Sequence, residues 1–183
     1  MITVIDYGLG NVQAFVNVYK RLDIPVNVAK SIDDLAETTK IILPGVGSFD
    51  RAMQQFNSSG MRKLIEQLVL EEEIPILGVC VGMQMLANSS DEGKLSGLGW
   101  VDGNVKRFDE ASMLQNQNLP HMGWNNVASE TEGGLFKDIN GENKFYFLHS
   151  FYFDCCYESN IIGVTDYGFS FTSAIKKKNI FGV

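Results

Sequence analysis

The first half of the chain alternates short apolar runs with longer stretches in which apolar residues recur at helical spacing. MITVID predicts a buried strand, YGLGN a turn, and Val12 to Leu22 a helix whose apolar positions Phe15, Val18, Tyr19 and Leu22 share one face. VNV is a second short strand, Ser31-Ile32-Asp33-Asp34 opens a helical turn by Ser or Asx capping, and KIILP is a strand broken at its proline. Helical spacing resumes from Phe49 to Leu70, interrupted at Ser58-Ser59-Gly60. IPILGV is the next strand, followed by a corner at Cys80 and a further helix. This βαβαβ rhythm predicts an α/β fold, a mainly parallel sheet covered on both faces with ligands near the carboxyl ends of its strands. The parallel core is expected to be complete by Leu86.

After Ser89 the pattern shortens. WVDGNVKRF, KFYFLHSFYF, IIGVTDY and FTSAIKKKNIFGV, separated by glycine and asparagine turns, predict antiparallel strands. These either extend the edge of the first sheet or form a smaller second one. No linker, repeat or low-complexity segment intervenes, so residues 1–183 are expected to be a single domain. Lys176-Lys177-Lys178 before Asn179 predicts a solvated hairpin tip, and Glu71-Glu72-Glu73 an exposed helix end.

Composition narrows the function classes. A chain of 183 residues, 45% hydrophobic and without a long apolar run, is expected to be soluble and to need no membrane. MITVIDYGLG enters a strand directly, with no basic region before a cleavable apolar segment, so the expected address is the cytoplasm. A net charge of -7 with scattered basic residues argues against nucleic-acid binding, which needs clustered cations. Three cysteines, two of them adjacent at Cys155 and Cys156, make no disulfide framework; that pair reads as strand packing.

Gly78-Val79-Cys80-Val81-Gly82 has the form of a nucleophile elbow with cysteine in place of serine. Flanking glycines permit a tight, strained turn that lifts the side chain above the sheet. There a helix N-terminus would favour thiolate, and the Val81 N–H could hold an oxyanion. A buried structural cysteine at a strand end is the plainer alternative. LPGVGSFD, with Gly45 and Gly47, is a second glycine-rich corner that adjacent parallel strands would bring beside Cys80. DYGLGN lacks the third glycine of a dinucleotide fingerprint. The two histidines, His121 in LPHMGWNN and His149 in YFLHSFYF, are each open to the role of base for Cys80. Their plainer readings are a strand histidine for His149 and, for His121 beside Met122 and Trp124, an interaction loop. No metal set is present in the spacing of His, Cys and carboxylates.

Taken in order, IDYGLGN, LPGVGSFDRAM, PILGVCVGMQML, PHMGWN, FYFLHSFYF and FTSAIKKKNIFGV resemble the glutaminase subunits of imidazole glycerol phosphate synthase, within the class I (triad) glutamine amidotransferases. The resemblance runs from end to end, and PHMGWN followed by FLHSFYF is specific to this subunit type. It implies a flavodoxin-like α/β core, no cofactor, and hydrolysis of glutamine to glutamate and ammonia. The ammonia would pass to a (β/α)8-barrel cyclase subunit, in a heterodimer that makes imidazole glycerol phosphate and AICAR in histidine biosynthesis. Carried over by motif, Cys80 resembles the nucleophile, and Val81 with Val46 and Gly47 the oxyanion hole, in which the PGVG peptide turns on a signal from the partner. Gly45, Gln84, Ser150 and Phe151 resemble the glutamine-binding groups. Asn11, Pro120, His121, Met122 and Trp124 resemble the face that meets the synthase. In this family a strand like NIFGV continues into a motif carrying the histidine base and its glutamate partner. Those two residues are therefore expected after Val183, and His121 and His149 are not expected to replace them. A paralogous subunit feeding a surface-sugar amidotransferase and an inactive binding subunit are the other readings that the resemblance leaves open.

Overall fold

The computed structural model describes residues 1–112, 118–129, 134–137, 139 and 143–183. The predicted βα cycles are present. Strands β1 (Ile2–Ile5), β2 (Val26–Ala29), β3 (Lys40–Gly45) and β4 (Ile76–Cys80) are all parallel and lie side by side in the order β2-β1-β3-β4. Between them run α1 (Val12–Arg21), α2 (Phe49–Ser58) and α3 (Arg62–Leu70), the last two separated at Ser59-Gly60 where the helical spacing lapses. Phe49, Ala52, Met53 and Phe56 of α2 and Ile65, Leu68 and Val69 of α3 join Ile5, Ile41, Leu43 and Ile76 of the strands in one buried cluster. Helix α1 differs from its expected face: it buries Val16, whereas Val18 and Leu22 stand exposed. Its own spacing carries two apolar stripes, and packing on the sheet selects one.

The helix expected after Cys80 is a single turn, α4 (Val81–Gln84). Short strands follow: β5 (Ser89–Ser90), β6 (Gly103–Arg107), β7 (His121–Asn126), β8 (Ala128–Ser129), β9 (Lys144–His149), β10 (Phe151–Cys155), β11 (Ile161–Tyr167), β12 (Phe169–Lys177) and β13 (Ile180–Gly182). Both arrangements left open by the sequence occur. Strands β12, β10 and β6 extend the main sheet antiparallel to one another, with β11 paired to β12, while β7 and β9 form a separate two-stranded ribbon. The run KFYFLHSFYF is thus two strands, divided at Ser150, that go to different sheets.

The parallel core is not complete by Leu86. Strand β13 lies parallel to β4, with Gly182 opposite Gly78, and joins β4 to the antiparallel half. It arrives by a hairpin from β12 rather than by a crossover helix, so nothing in its local pattern marks it as a parallel strand. The hairpin turns at Lys178-Asn179, as the polar run there predicts. The Asn179 side chain donates to the Val69 and Ile74 carbonyls and ties the turn to the end of α3. Among the described residues no helix is long and apolar enough to cross a membrane.

Candidate active site

Cys80 ends β4 and precedes α4 in a conformation few residues adopt, with φ 58° and ψ −119°. A non-glycine residue held there stores on the order of 1–3 kcal/mol of strain and persists only where its surroundings over-determine it. They do. The Cys80 N–H donates to the Val183 carbonyl at 2.8 Å, the Val183 N–H donates back to Gly78 at 3.0 Å, and Gly45 sits opposite Cys80 in the β3–β4 register. A Cβ on Gly82 would overlap the Leu43 carbonyl, and one on Gly45 would overlap the Gly82 nitrogen. Gly45 and Gly82 therefore serve close backbone contact between the turn after β4 and the end of β3.

Cys80 is exposed at the cleft, yet desolvation by the corner around it pushes its thiol up; a hydrogen bond from the Val81 N–H opposes that, and the Glu92 carboxylate adds to the rise. With α4 only one turn long, little helix dipole is available to counter the burial. Glu92 reaches the site because the turn at 91–95 is clamped on α2: the Phe49 N–H donates to the Glu92 carboxylate at 2.7 Å, and the Lys94 and Leu95 N–H groups donate to Asp50. The sequence reading passed over both acids, since only the tertiary contact brings Glu92 near Cys80.

A cleft of about 290 Å³ opens over Cys80, and Gln84, Phe151, Val183 and His149 also line it. Strand β9 forms one wall through Phe145, Phe147 and their neighbours. Ser150 is half-buried at the bend between β9 and β10, its carbonyl accepting the Phe108 N–H. On the other side of Val79 lies a second hollow lined by Asn11, Gly45 and Val46, so the first and second glycine corners adjoin it. Val46 is exposed, and Gly47 sits at φ 86° with open space around it. Asn11 caps α1 by accepting the Ala14 N–H. Tyr7, absent from the sequence reading, is buried against Phe56 and donates its hydroxyl to the Pro44 carbonyl at 2.7 Å, anchoring the backbone just before Gly45. Burial raises its pKa, so the hydroxyl keeps its proton.

The histidines are engaged elsewhere. His121 Nδ1 and His149 Nε2 are 2.8 Å apart, and His149 Nδ1 faces the Phe151 carbonyl at 2.8 Å. Among the described residues no hydrogen bond joins either ring to Cys80. His121 is buried, while Met122 and Trp124 on the same strand are exposed at 63% and 67%, pairing across the ribbon with exposed Leu148 and Tyr146. Pro120 is exposed just ahead of them.

A strained cysteine between glycine corners at the end of a parallel strand marks the candidate site, and the comparisons give the chain a family. Residues 3–183 match the model of the class-I glutamine amidotransferases, and the chain belongs to that family. It is 54% identical, over its full length and 90% of the relative's, to the imidazole glycerol phosphate synthase subunit HisH of Bdellovibrio bacteriovorus. It is 46% identical to the subunit of the same name from Leptospira interrogans, covering all of this chain and 89% of that one. Among solved structures, a glutamine amidotransferase superposes with a TM-score of 0.75 at 16% identity, over 99% of this chain and 87% of that one. A glutamine amidotransferase from Thermotoga maritima superposes with a TM-score of 0.66 at 16% identity, over 100% and 73% of the two chains. At that identity the likeness speaks for the fold.

Proposed function

We propose that the chain hydrolyses glutamine to glutamate and ammonia at Cys80 and supplies the ammonia to a (β/α)8-barrel synthase subunit in histidine biosynthesis. The observation that carries this reading is the positive-φ Cys80, held at the cleft by Val183 and the glycine contacts of Gly45 and Gly82.

In this reading the Cys80 sulfur attacks the side-chain amide carbon, and its proton passes to a base. Charge develops on the amide oxygen, where the Val81 N–H and backbone of Val46-Gly47 receive it. The C–N bond then breaks, ammonia leaves with a proton from the base, and water hydrolyses the thioester to glutamate. Attack by the thiol depends on that base to take its proton. We assign it to a histidine after Val183, with a glutamate to orient it. Val183, which follows β13, accepts the Cys80 N–H, whereas both imidazoles of this sequence are already hydrogen-bonded within their own pair. Gln84, Gly45, Ser150 and Phe151 hold the amino-acid portion of glutamine. Glu92, the carboxylate whose field reaches Cys80, suits its ammonium group. The synthase docks on the exposed ribbon face of Met122 and Trp124, with Asn11 and Pro120 as further contact residues. The names borne by the relatives support a synthase partner.

Cys80→Ser in the full-length protein with its partner is the test. Glutamine-dependent synthesis should disappear while ammonia-dependent synthesis continues, since a hydroxyl cannot be deprotonated as a thiol is. Retained glutaminase turnover would remove Cys80 as nucleophile.

A further inference from the structure

The β7–β9 ribbon belongs to its own sheet and is tied to the main sheet by one residue at each end: Val127 leads from β7 to β8, which pairs with β11, and Ser150 leads from β9 to β10. A directed line of hydrogen bonds crosses that joint. At one end the Phe151 carbonyl can only accept, so His149 Nδ1 must carry the proton and its neutral Nε2 must accept. His121 Nδ1 is therefore the donor in the 2.8 Å contact, which leaves His121 Nε2 as an acceptor. At the other end the Asn125 amide nitrogen, oriented by donating to the Asp166 carbonyl at 2.9 Å, faces that same Nε2 at 3.3 Å. Both ends thus demand the same two tautomers.

The surroundings hold the pair neutral. His121 is stacked between Phe147 and Tyr167, at centroid distances of 4.8 and 4.0 Å, and His149 meets Phe108 and Phe171 edge-on or tilted. Tyr167 of β11 is a titratable group stacked directly on the pair. Its hydroxyl donates to the Asn118 carbonyl. Burial lowers both histidines, His121 to about 4 with a further contribution from His149. Protonating either ring would turn an acceptor nitrogen into a second donor facing a donor.

We propose that His121 and His149 form a positioning relay between the exposed Met122/Trp124 face of the ribbon and the Ser150–Phe151 backbone at the cleft. Its effect on catalysis rests on the reading of Ser150 and Phe151 as glutamine-binding groups. Rotating the ribbon between its Val127 and Ser150 joints moves His121, and through His149 it moves the Phe151 carbonyl. A partner seated on the outer face then sets the substrate segment without touching it. His121 and His149 are positioning residues in this scheme; neither meets the reacting atoms.

Two measurements test it. In full-length protein with 15N-labelled histidine, both rings should show Nδ1–H tautomers near neutral pH, with a scalar coupling across the His121 Nδ1 to His149 Nε2 hydrogen bond. An Nε2–H tautomer on either ring, or no coupling, would overturn the relay whatever the catalytic role of Cys80. In the complex with the synthase, His121→Phe keeps the aromatic stack and deletes both hydrogen bonds. KM for glutamine should rise about tenfold or more, with ammonia-dependent synthesis unchanged. His121→Asn, whose amide can replace the Nδ1–H donor, should recover much of that loss. A wild-type KM in the Phe variant, or equal losses in the two variants, would reduce His121 to packing and overturn the relay. An inactive wild type would instead count against the glutaminase reading, and the tautomers and coupling would still decide the relay.

Discussion

At the scale of single residues, the site depends on atoms that are missing. Cys80 reaches its positive φ because Gly82 lets the turn lie against the Leu43 carbonyl and Gly45 lets the end of β3 approach the same turn. Gly47 is different: its left-handed φ of 86° suits glycine, but its surroundings are open. Alanine at the two positions should therefore separate packing from conformation. Gly82→Ala must displace backbone in a close-packed corner and should cost 1–3 kcal/mol or more, by the measure of overpacked cores. Gly47→Ala should cost about 1–2 kcal/mol, the local penalty for a side chain in that conformation. Urea unfolding of the two variants checks this. A Gly82→Ala midpoint equal to wild type would mean that the corner is looser than its contacts indicate.

At the scale of elements, the ribbon of β7 and β9 has two unlike faces. Its inner face carries His121, Phe147 and His149 into an aromatic cluster with Phe108, Tyr167 and Phe171. Its outer face pairs Met122 with Leu148 and Trp124 with Tyr146, all exposed, the last two rings meeting edge-on at 5.7 Å. Large apolar side chains paired in the open contribute little to the monomer but suit an anchor for a partner. Trp124→Ala should leave the unfolding free energy within about 0.5 kcal/mol of wild type. It should weaken association with the synthase by about 2 kcal/mol, roughly thirtyfold in Kd. Calorimetric titration with the partner gives the answer, and an unchanged Kd would take Trp124 out of the docking face.

At the scale of the whole molecule, one buried histidine pair influences how stability responds to acid. The folded-state pKa values of His121 and His149 lie below the ordinary histidine value of 6.5, His121 at about 4. Between those values the unfolded chain binds protons that the folded one refuses, so stability is complete above 6.5 and declines as pH falls toward 4. Asp34 and Asp50 are lowered by backbone hydrogen bonds, from Lys30 and Lys94 first, and their contribution is lost only below the usual carboxylate range. Chemical denaturation at pH 7 and pH 5 should show a loss for wild type and a smaller loss for a variant with both histidines replaced by glutamine. Equal pH dependence in the two proteins would mean that other groups carry it.

Much of this architecture was legible in the order of the residues. Apolar runs and helical spacing located β1 through β4 and the three longer helices, since burial on a sheet imposes those periods locally. G-x-C-x-G marked Cys80 because only glycines allow so tight a corner. Local pattern could not tell where a strand would go. The three residues of β13 read like any short apolar run, yet their place beside β4 supplies the Val183 carbonyl that holds the Cys80 N–H. KFYFLHSFYF read as one strand, and only the aromatic cluster around Phe108 divides it between two sheets. The acids and imidazoles were legible as residue types and illegible as neighbours. Glu92 on the Phe49 N–H, Tyr7 on the Pro44 carbonyl and His121 against His149 are contacts between distant segments, and tertiary packing alone decides the field and burial around them.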